Sequence, residues 1–258
     1  MRLVSCIFNA ANLPHLHRWI NLPCCKILWI FTFHFFLFPF IFFLLSFVFY
    51  LYKQKPMSDY IPTREDAEVL FKKYNKSESL YKHALAVEGV MRYMARKNGE
   101  DENKWGIIGF IHDLDYEMYP EQHCRKTEEI LKENNWPEDY IRAVMSHGWG
   151  IVTDIEPLSQ LEKTLYAMDE LTGLVTTTAL VRPSRSVLDM KVKSVKKKWN
   201  DKRFAAGVDR SIIEKGAGLL EVELTDLIQD CINGMREVAD EIGLKGEMND
   251  EPSRASLP

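Results

Sequence analysis

Cysteine is scarce, with 5 in 258 residues, and three of those (Cys6, Cys24, Cys25) lie in the first 56. A disulfide scaffold is excluded, and no Cys-x-x-Cys pair offers a structural zinc site. Glycine is also sparse, at 13 residues. There is no glycine-rich phosphate loop ending in Lys-Ser/Thr, no dinucleotide fingerprint and no Gly-x-Ser-x-Gly elbow, which removes the common nucleotide folds and serine hydrolases. No alternating apolar pattern, strand-turn-strand signal or repeat of 20–50 residues is found. Excess positive charge is missing too. The formal net charge of -4 argues against a protein that coats nucleic acid, and no nucleic-acid partner is expected. With 46% hydrophobic and 27% charged residues, the chain has a globular balance rather than a disordered one.

Acidic residues are absent from residues 1–56. That segment carries five basic residues (Arg2, Arg18, Lys26, Lys53, Lys55) and eleven of the 14 phenylalanines. From Ile27 to Tyr52, 26 consecutive residues bear no formal charge. As a helix they would run about 39 Å, enough for a hydrocarbon core of about 30 Å. No small-residue cleavage site follows; Lys53-Gln54-Lys55-Pro56 does. Two readings stand side by side. Residues 27–52 are a single N-terminal transmembrane helix, or residues 1–56 are translated upstream sequence ahead of a start at Met57. A membrane is a partner only under the first. In both, the catalytic domain is expected in the cytoplasm, which suits free thiols at Cys124 and Cys231. The expected organisation is a hydrophobic leader over 1–56, one domain over 57–244, and a flexible polar tail over 245–258.

After Met57 the pattern is helical throughout, and an all-α domain is expected. Thr63 caps a first helix. Residues 78–97 put His83, Val87, Val90, Met91 and Met94 on one face, and Asn98-Gly99 ends that helix. Asp101 caps the next, with Trp105, Ile108, Ile111 and His112 inward. Further helices are expected over 121–133, from Pro137 to about His147, and over 157–180 with Leu158, Leu161, Leu165, Met168 and Asp169 inward. Leu188, Val192, Val195 and Trp199 form another stripe, followed by helices over 209–220 and 223–242.

Seven histidines are present, and His15, His17 and His34 belong to the leader. The other four, His83, His112, His123 and His147, each fall near the inward face or end of an expected helix. A buried imidazole needs a partner, because an unsatisfied polar group costs about 1–3 kcal/mol. A metal ion is one such partner. Asp113 follows His112 directly, and Asp169 occupies an inward position where a carboxylate wants a cation. The plainer alternative is a set of core histidines satisfied by backbone carbonyls, with Asp169 in a salt bridge and His123 on the surface.

The series His83, His112-Asp113 and Asp169 resembles the H…HD…D signature of the HD superfamily of all-helical, metal-dependent phosphohydrolases. His123 and His147, 10 residues after Asp113 and 24 after His123, extend the likeness to the H-HD-H-H-D set of its bimetallic subgroup. That subgroup includes dinucleoside tetraphosphate hydrolases and cyclic-di-nucleotide phosphodiesterases. No Gly-Tyr-Pro follows, and His112-Asp113-Leu114-Asp115 replaces the usual HDIG form, which argues against a cyclic-di-nucleotide substrate. The resemblance implies an HD-domain helical bundle. It implies His83, His112, Asp113, His123, His147 and Asp169 as ligands of one or two divalent metal ions (Mn, Fe, Zn or Co).

The activity implied is attack of metal-activated water on a phosphoester or phosphoanhydride of a small phosphorylated substrate, such as a nucleotide. Asp113 is the natural bridging ligand, and Asp115 or Glu117 the leaving-group proton donor. Cys124 is set about 100° around an expected helix from His123 and is not counted as a ligand. Residues 182–203 hold nine basic and two acidic residues. Their lysines read as a solvated helix face, whereas Arg182 and Arg185 are candidates for holding a substrate phosphate bidentately. Trp149 either stacks on a base or fills the core. Two rival readings share the ligand types: an HD-fold di-iron oxygenase, and a non-catalytic regulator that holds a nucleotide or metal.

Overall fold

The computed structural model describes residues 60–246. The expected span over 27–52, the leader and most of the C-terminal tail lie outside the described residues. Nine α-helices and one short 3-10 turn make up the described chain, which contains no strand. No described helix is long and apolar enough to cross a membrane.

The first three helices begin where their caps predict. In α1 (Arg64–Tyr74), Thr63 and Asp66 form a reciprocal capping box. In α2 (Glu78–Asn98), the Ser77 hydroxyl accepts from the Leu80 N–H, and Gly99 closes the helix at φ 71°. In α3 (Glu102–Ile111), Asp101 accepts from the N–H groups of Asn103 and Lys104. Residues Trp105 through Ile111 are buried without a break. A helix apolar on all sides belongs at the centre of a bundle. α3 packs along α2, with α1 and α5 also against it.

The chain continues through a 3-10 turn (Pro120–Gln122), then α4 (Arg125–Glu133), α5 (Glu138–Ser146) and α6 (Gln160–Leu180). It ends with α7 (Val192–Trp199), α8 (Arg210–Leu220) and α9 (Leu224–Glu237). α6 packs on α2 and α8, and α9 packs on α2. Met91, Phe110, Leu165, Met168 and Leu171 are fully enclosed between these layers.

Four expectations are corrected. The helix over 121–133 is broken: Cys124 has φ 65°, a conformation no helix interior allows, so α4 starts only at Arg125. The helix expected from Pro157 starts after Ser159, whose hydroxyl and the Glu162 carboxylate cap each other, and Leu158 is 65% exposed. Leu188 is 42% exposed rather than inward, because α7 begins four residues later. The last helix ends at Glu237. The first two tail residues are also held: Ser186 Oγ donates to the Lys245 carbonyl at 2.7 Å, and Gly246 lies against Ser184.

α2 and α9 meet where Gly234 has no side chain. A Cβ there would fall 2.6 Å from the Val90 Cα, a backbone atom that cannot swing aside. Gly234→Ala is expected to destabilise the fold by about 1–3 kcal/mol, despite alanine's higher helix propensity. Urea unfolding of the variant checks this; an unchanged midpoint would mean that the two helices separate freely.

Candidate metal centre

Each histidine and aspartate singled out above sits where a helix turns one face, or ends, towards a common point. His83 projects from α2 and Asp169 from α6. His112 is the C-terminal cap of α3, with Asp113 next in the turn that follows. His147 caps the C-terminus of α5. His123 lies between the 3-10 turn and α4.

The imidazoles are oriented from behind. His112 Nδ1 lies 2.7 Å from the Gly109 carbonyl, and His147 Nδ1 faces the Val144 carbonyl. His123 Nδ1 lies 2.8 Å from Asp115 Oδ1. Carbonyls and carboxylates only accept, so in each neutral ring the proton sits on Nδ1 and the Nε2 lone pair faces inward. His83 is tied more loosely, Nδ1 to Thr172 Oγ1 at 3.5 Å. Backbone carbonyls do satisfy two histidines, as the plainer alternative supposed, but only through one nitrogen each. His112 Nε2 is buried without a hydrogen-bond partner. Fixing one nitrogen so that the other is free and aimed is the usual support of a metal-bound histidine.

The free nitrogens and the carboxylates fall into two sets. In the first, His83 Nε2 is 3.0 Å from Asp169 Oδ1 and 3.7 Å from Asp113 Oδ2, while His112 Nε2 is 3.3 Å from both oxygens. In the second, His123 Nε2 and His147 Nε2 are 3.2 Å apart and lie 3.5 and 3.6 Å from Asp113 Oδ1. Asp113 therefore turns one oxygen to each set. His83, His112 and Asp169 form one group that could hold an ion; His123, Cys124 and His147 form another.

A cavity of about 360 Å³ opens over these groups. His83, Asp113, His123, His147 and Asp169 form its floor, and Ile151, Val152, Val208 and Ile212 give it an apolar wall. Tyr116 and Glu170 also face it.

Electrostatics follow from the burial of Asp113 and Asp169. Burial would raise both carboxyls, yet the facing imidazoles, His112 above all, hold them well below the usual range. Burial alone would depress the imidazoles. The two carboxylates overcome this at His112 and push it up to about 10. The hydrogen bond to Asp115 leads in raising His123 to about 9, and His147 is raised well above its ordinary value. Burial, then the charge of Asp169, lifts Glu170 to about 7. Burial raises the Cys124 thiol, but the charge of His147 and hydrogen bonds to His123 and His147 outweigh it and bring the thiol down to about 7. Protons on the imidazoles thus balance the buried carboxylates, and a cation could do the same.

Residues 80–174 match the family model of the HD domain. The match begins just before His83 and ends just past Asp169, so all six ligand candidates fall inside it. HD domains are in general metal-dependent hydrolases, and the donor set found here suits a divalent ion. No curated protein and no solved structure matches the chain significantly.

Several expected roles move. Asp115 is fully buried and does not face the cavity. Its second oxygen accepts from the Thr127 N–H at 2.8 Å, so it orients His123 and caps α4 rather than donating a proton. Glu117 accepts from the N–H groups of Lys76 and Ser77 and braces the start of α2. Arg182 forms a bidentate pair with Asp189, both contacts at 2.8 Å. It lies 13 residues beyond Asp169, about 20 Å along the α6 axis, and is not brought to the site. Arg185 instead lines a neighbouring cavity of about 460 Å³ that also includes His83. Trp149 packs against Tyr166 and under the Lys215 ammonium, which sits 3.2 Å from its ring centre. Lys191, Lys193, Lys196 and Lys197 are exposed.

Glu170 was not foreseen, and Cys124 was set aside on the expectation of a helix that does not form there. For Cys124 the signal was the late start of apolar periodicity: inward positions begin only at Thr127, so nothing required residues 121–124 to be helical.

The raised histidines give metal binding a definite pH dependence. At pH 7, below about 9 and about 10, His123 and His112 hold protons in the metal-free protein, and an ion must displace them. Apparent affinity should therefore weaken as pH falls from about 9 to 7, with net proton release at pH 7. Calorimetric titrations in buffers of different ionisation enthalpy measure this; binding without proton release would show the imidazoles already neutral.

Proposed function

We propose that this chain is a metal-dependent phosphohydrolase with a two-ion centre, acting on a phosphoester or phosphoanhydride bond of a small phosphorylated substrate such as a nucleotide. The observation that carries the reading is Asp113, with one oxygen directed to each donor set. In this reading His83, His112, Asp113 and Asp169 hold one ion, and Asp113, His123 and His147 the other. When bound, divalent ions supply water of lowered pKa and a Lewis acid for phosphoryl oxygens.

The chain's own groups support an anionic substrate. Four neutral imidazoles and two carboxylates carry a formal -2, so two divalent ions would bring the centre to +2. Arg185 and Lys82 line the neighbouring cavity, which adjoins the first through His83 and Gly173. In this reading they would hold a second anionic group, away from the scissile bond. Ser79, Thr176 and Thr177 add hydroxyls beside them. The apolar wall from Ile151 to Ile212 suits the unreactive body of the molecule and keeps bulk water back. Among carboxylates outside the ligand set, Glu170 alone lines the main cavity. It and the Tyr116 phenol are therefore the groups placed to protonate a leaving oxygen.

The test joins elemental analysis to a screen of phosphoester and nucleotide substrates on the full chain. About two equivalents of metal and phosphate release are expected, both lost in His112→Ala. With a hydrolysed substrate in hand, Arg185→Ala should raise KM about tenfold or more, as loss of a charge-assisted hydrogen bond to phosphate would. Arg182→Ala should leave KM unchanged. Metal-free protein that cannot be reconstituted, or turnover retained in His112→Ala, would overturn the reading.

A further inference from the structure

Cys124 is completely buried, does not line the main cavity, and has no part in the function just proposed. Its position is nevertheless specific. The ligand atoms of His123, Cys124 and His147 all lie within 4.8 Å of one another. Cys124 Sγ is 3.9 Å from His147 Nε2, and the two Nε2 atoms are 3.2 Å apart. An ion bound tetrahedrally by sulfur at about 2.3 Å and nitrogen at about 2.0–2.1 Å would set S···N near about 3.6 Å and N···N near about 3.3 Å. The observed spacings already approach those values. Asp113 Oδ1 lies 3.5 and 3.6 Å from the two nitrogens, on the side that it turns to this set.

Two further features hold the thiol there. Cys124 adopts φ 65° although it is not glycine, a conformation that turns its side chain out of the α4 spiral. Across from it, Gly148 leaves the sulfur room: a Cβ at that residue would lie 2.8 Å from Sγ. The cysteine does not stand alone, because both histidine Nδ1 atoms are anchored and both Nε2 atoms face the same point.

We infer that Cys124 Sγ is a ligand of the second ion, which is then held by His123, Cys124, His147 and the bridging Asp113. This rests on the two-ion reading above and sharpens it. A thiolate adds one negative charge, so the doubly occupied centre carries +1 rather than +2. It also adds a soft donor to one of the two sets. Soft sulfur favours zinc, iron or cobalt over manganese, whereas the first set, all nitrogen and oxygen, keeps the broader choice.

Cobalt(II) is the probe. The full chain, reduced with a phosphine and titrated with cobalt(II) under argon, should bind two equivalents. A sulfur-to-cobalt charge-transfer band in the near ultraviolet should grow with one of them. In Cys124→Ser and Cys124→Ala the band should vanish, and one of the two ions should bind more weakly by on the order of tenfold to a hundredfold or more. The other should bind as in the parent. Two bound ions with visible d–d absorption but no charge-transfer band would overturn the assignment of Cys124 alone, whether or not a variant folds. A band that survives in both variants would assign the sulfur to another cysteine and equally overturn it. Failure to bind cobalt at all would overturn the phosphohydrolase reading beneath it.

Discussion

Two carboxylates, buried Asp113 and half-buried Asp169, meet four imidazoles, of which His112 and His147 are buried, and the rest of the domain is organised around that charge. Buried ionised carboxylates are costly unless paired and hydrogen-bonded. Among the described residues no lysine or arginine lines the main cavity to balance them. The balance comes instead from imidazoles, which carry protons or face a cation. This exchangeability is what a candidate metal site requires and a fixed set of salt bridges would lack. An arginine would neutralise the same charge permanently and leave no lone pairs.

Helix ends, more than helix faces, build the site. His112 and His147 are C-terminal caps of α3 and α5, and in each the ring Nδ1 bonds a carbonyl three residues earlier. Those carbonyls belong to the last turn, where the regular i→i+4 partners run out; the Val144 carbonyl also accepts the His147 N–H at 3.3 Å. One hydrogen bond thus both satisfies a helix end and sets a ring. Asp115 does the same at the start of α4, taking the Thr127 N–H with one oxygen and His123 with the other. Local stability and site geometry share the same contacts, so the second donor set is as rigid as the turns that frame it.

Placement also separates the charges a substrate would meet. The basic helix α7 spreads its lysines into solvent, and Arg182 is committed to Asp189. Arg185, in the turns after α6, and Lys82, in the first turns of α2, line instead the neighbouring cavity that shares His83 with the main one. The neighbouring cavity thus carries the cations, and the main cavity the candidate ligands with an apolar wall beside them.

Much of this was legible in the residues themselves. Cap residues and 3.6-residue periodicity determined α1, α2, α3 and α8, because both depend on near neighbours in the chain. The histidines and Asp169 stood out because buried imidazoles and carboxylates carry a large desolvation cost and must have partners, and the resemblance to the H-HD-H-H-D pattern joined them with Asp113 into one ligand set. Reach was not legible. Whether Arg182 or Arg185 approaches the site depends on how the chain turns after α6, and that turn is set by the Asp189 pair and the packing of Ser186 against Lys245. The role of Asp115 and the direction of the Cys124 thiol depend on a break at residues 123–124, where Cys124 lies beside His147 and Gly148, far along the chain. Sequence determined which groups had to be satisfied; tertiary structure alone decided by what, because a partner is fixed by distances between segments that no local pattern encodes.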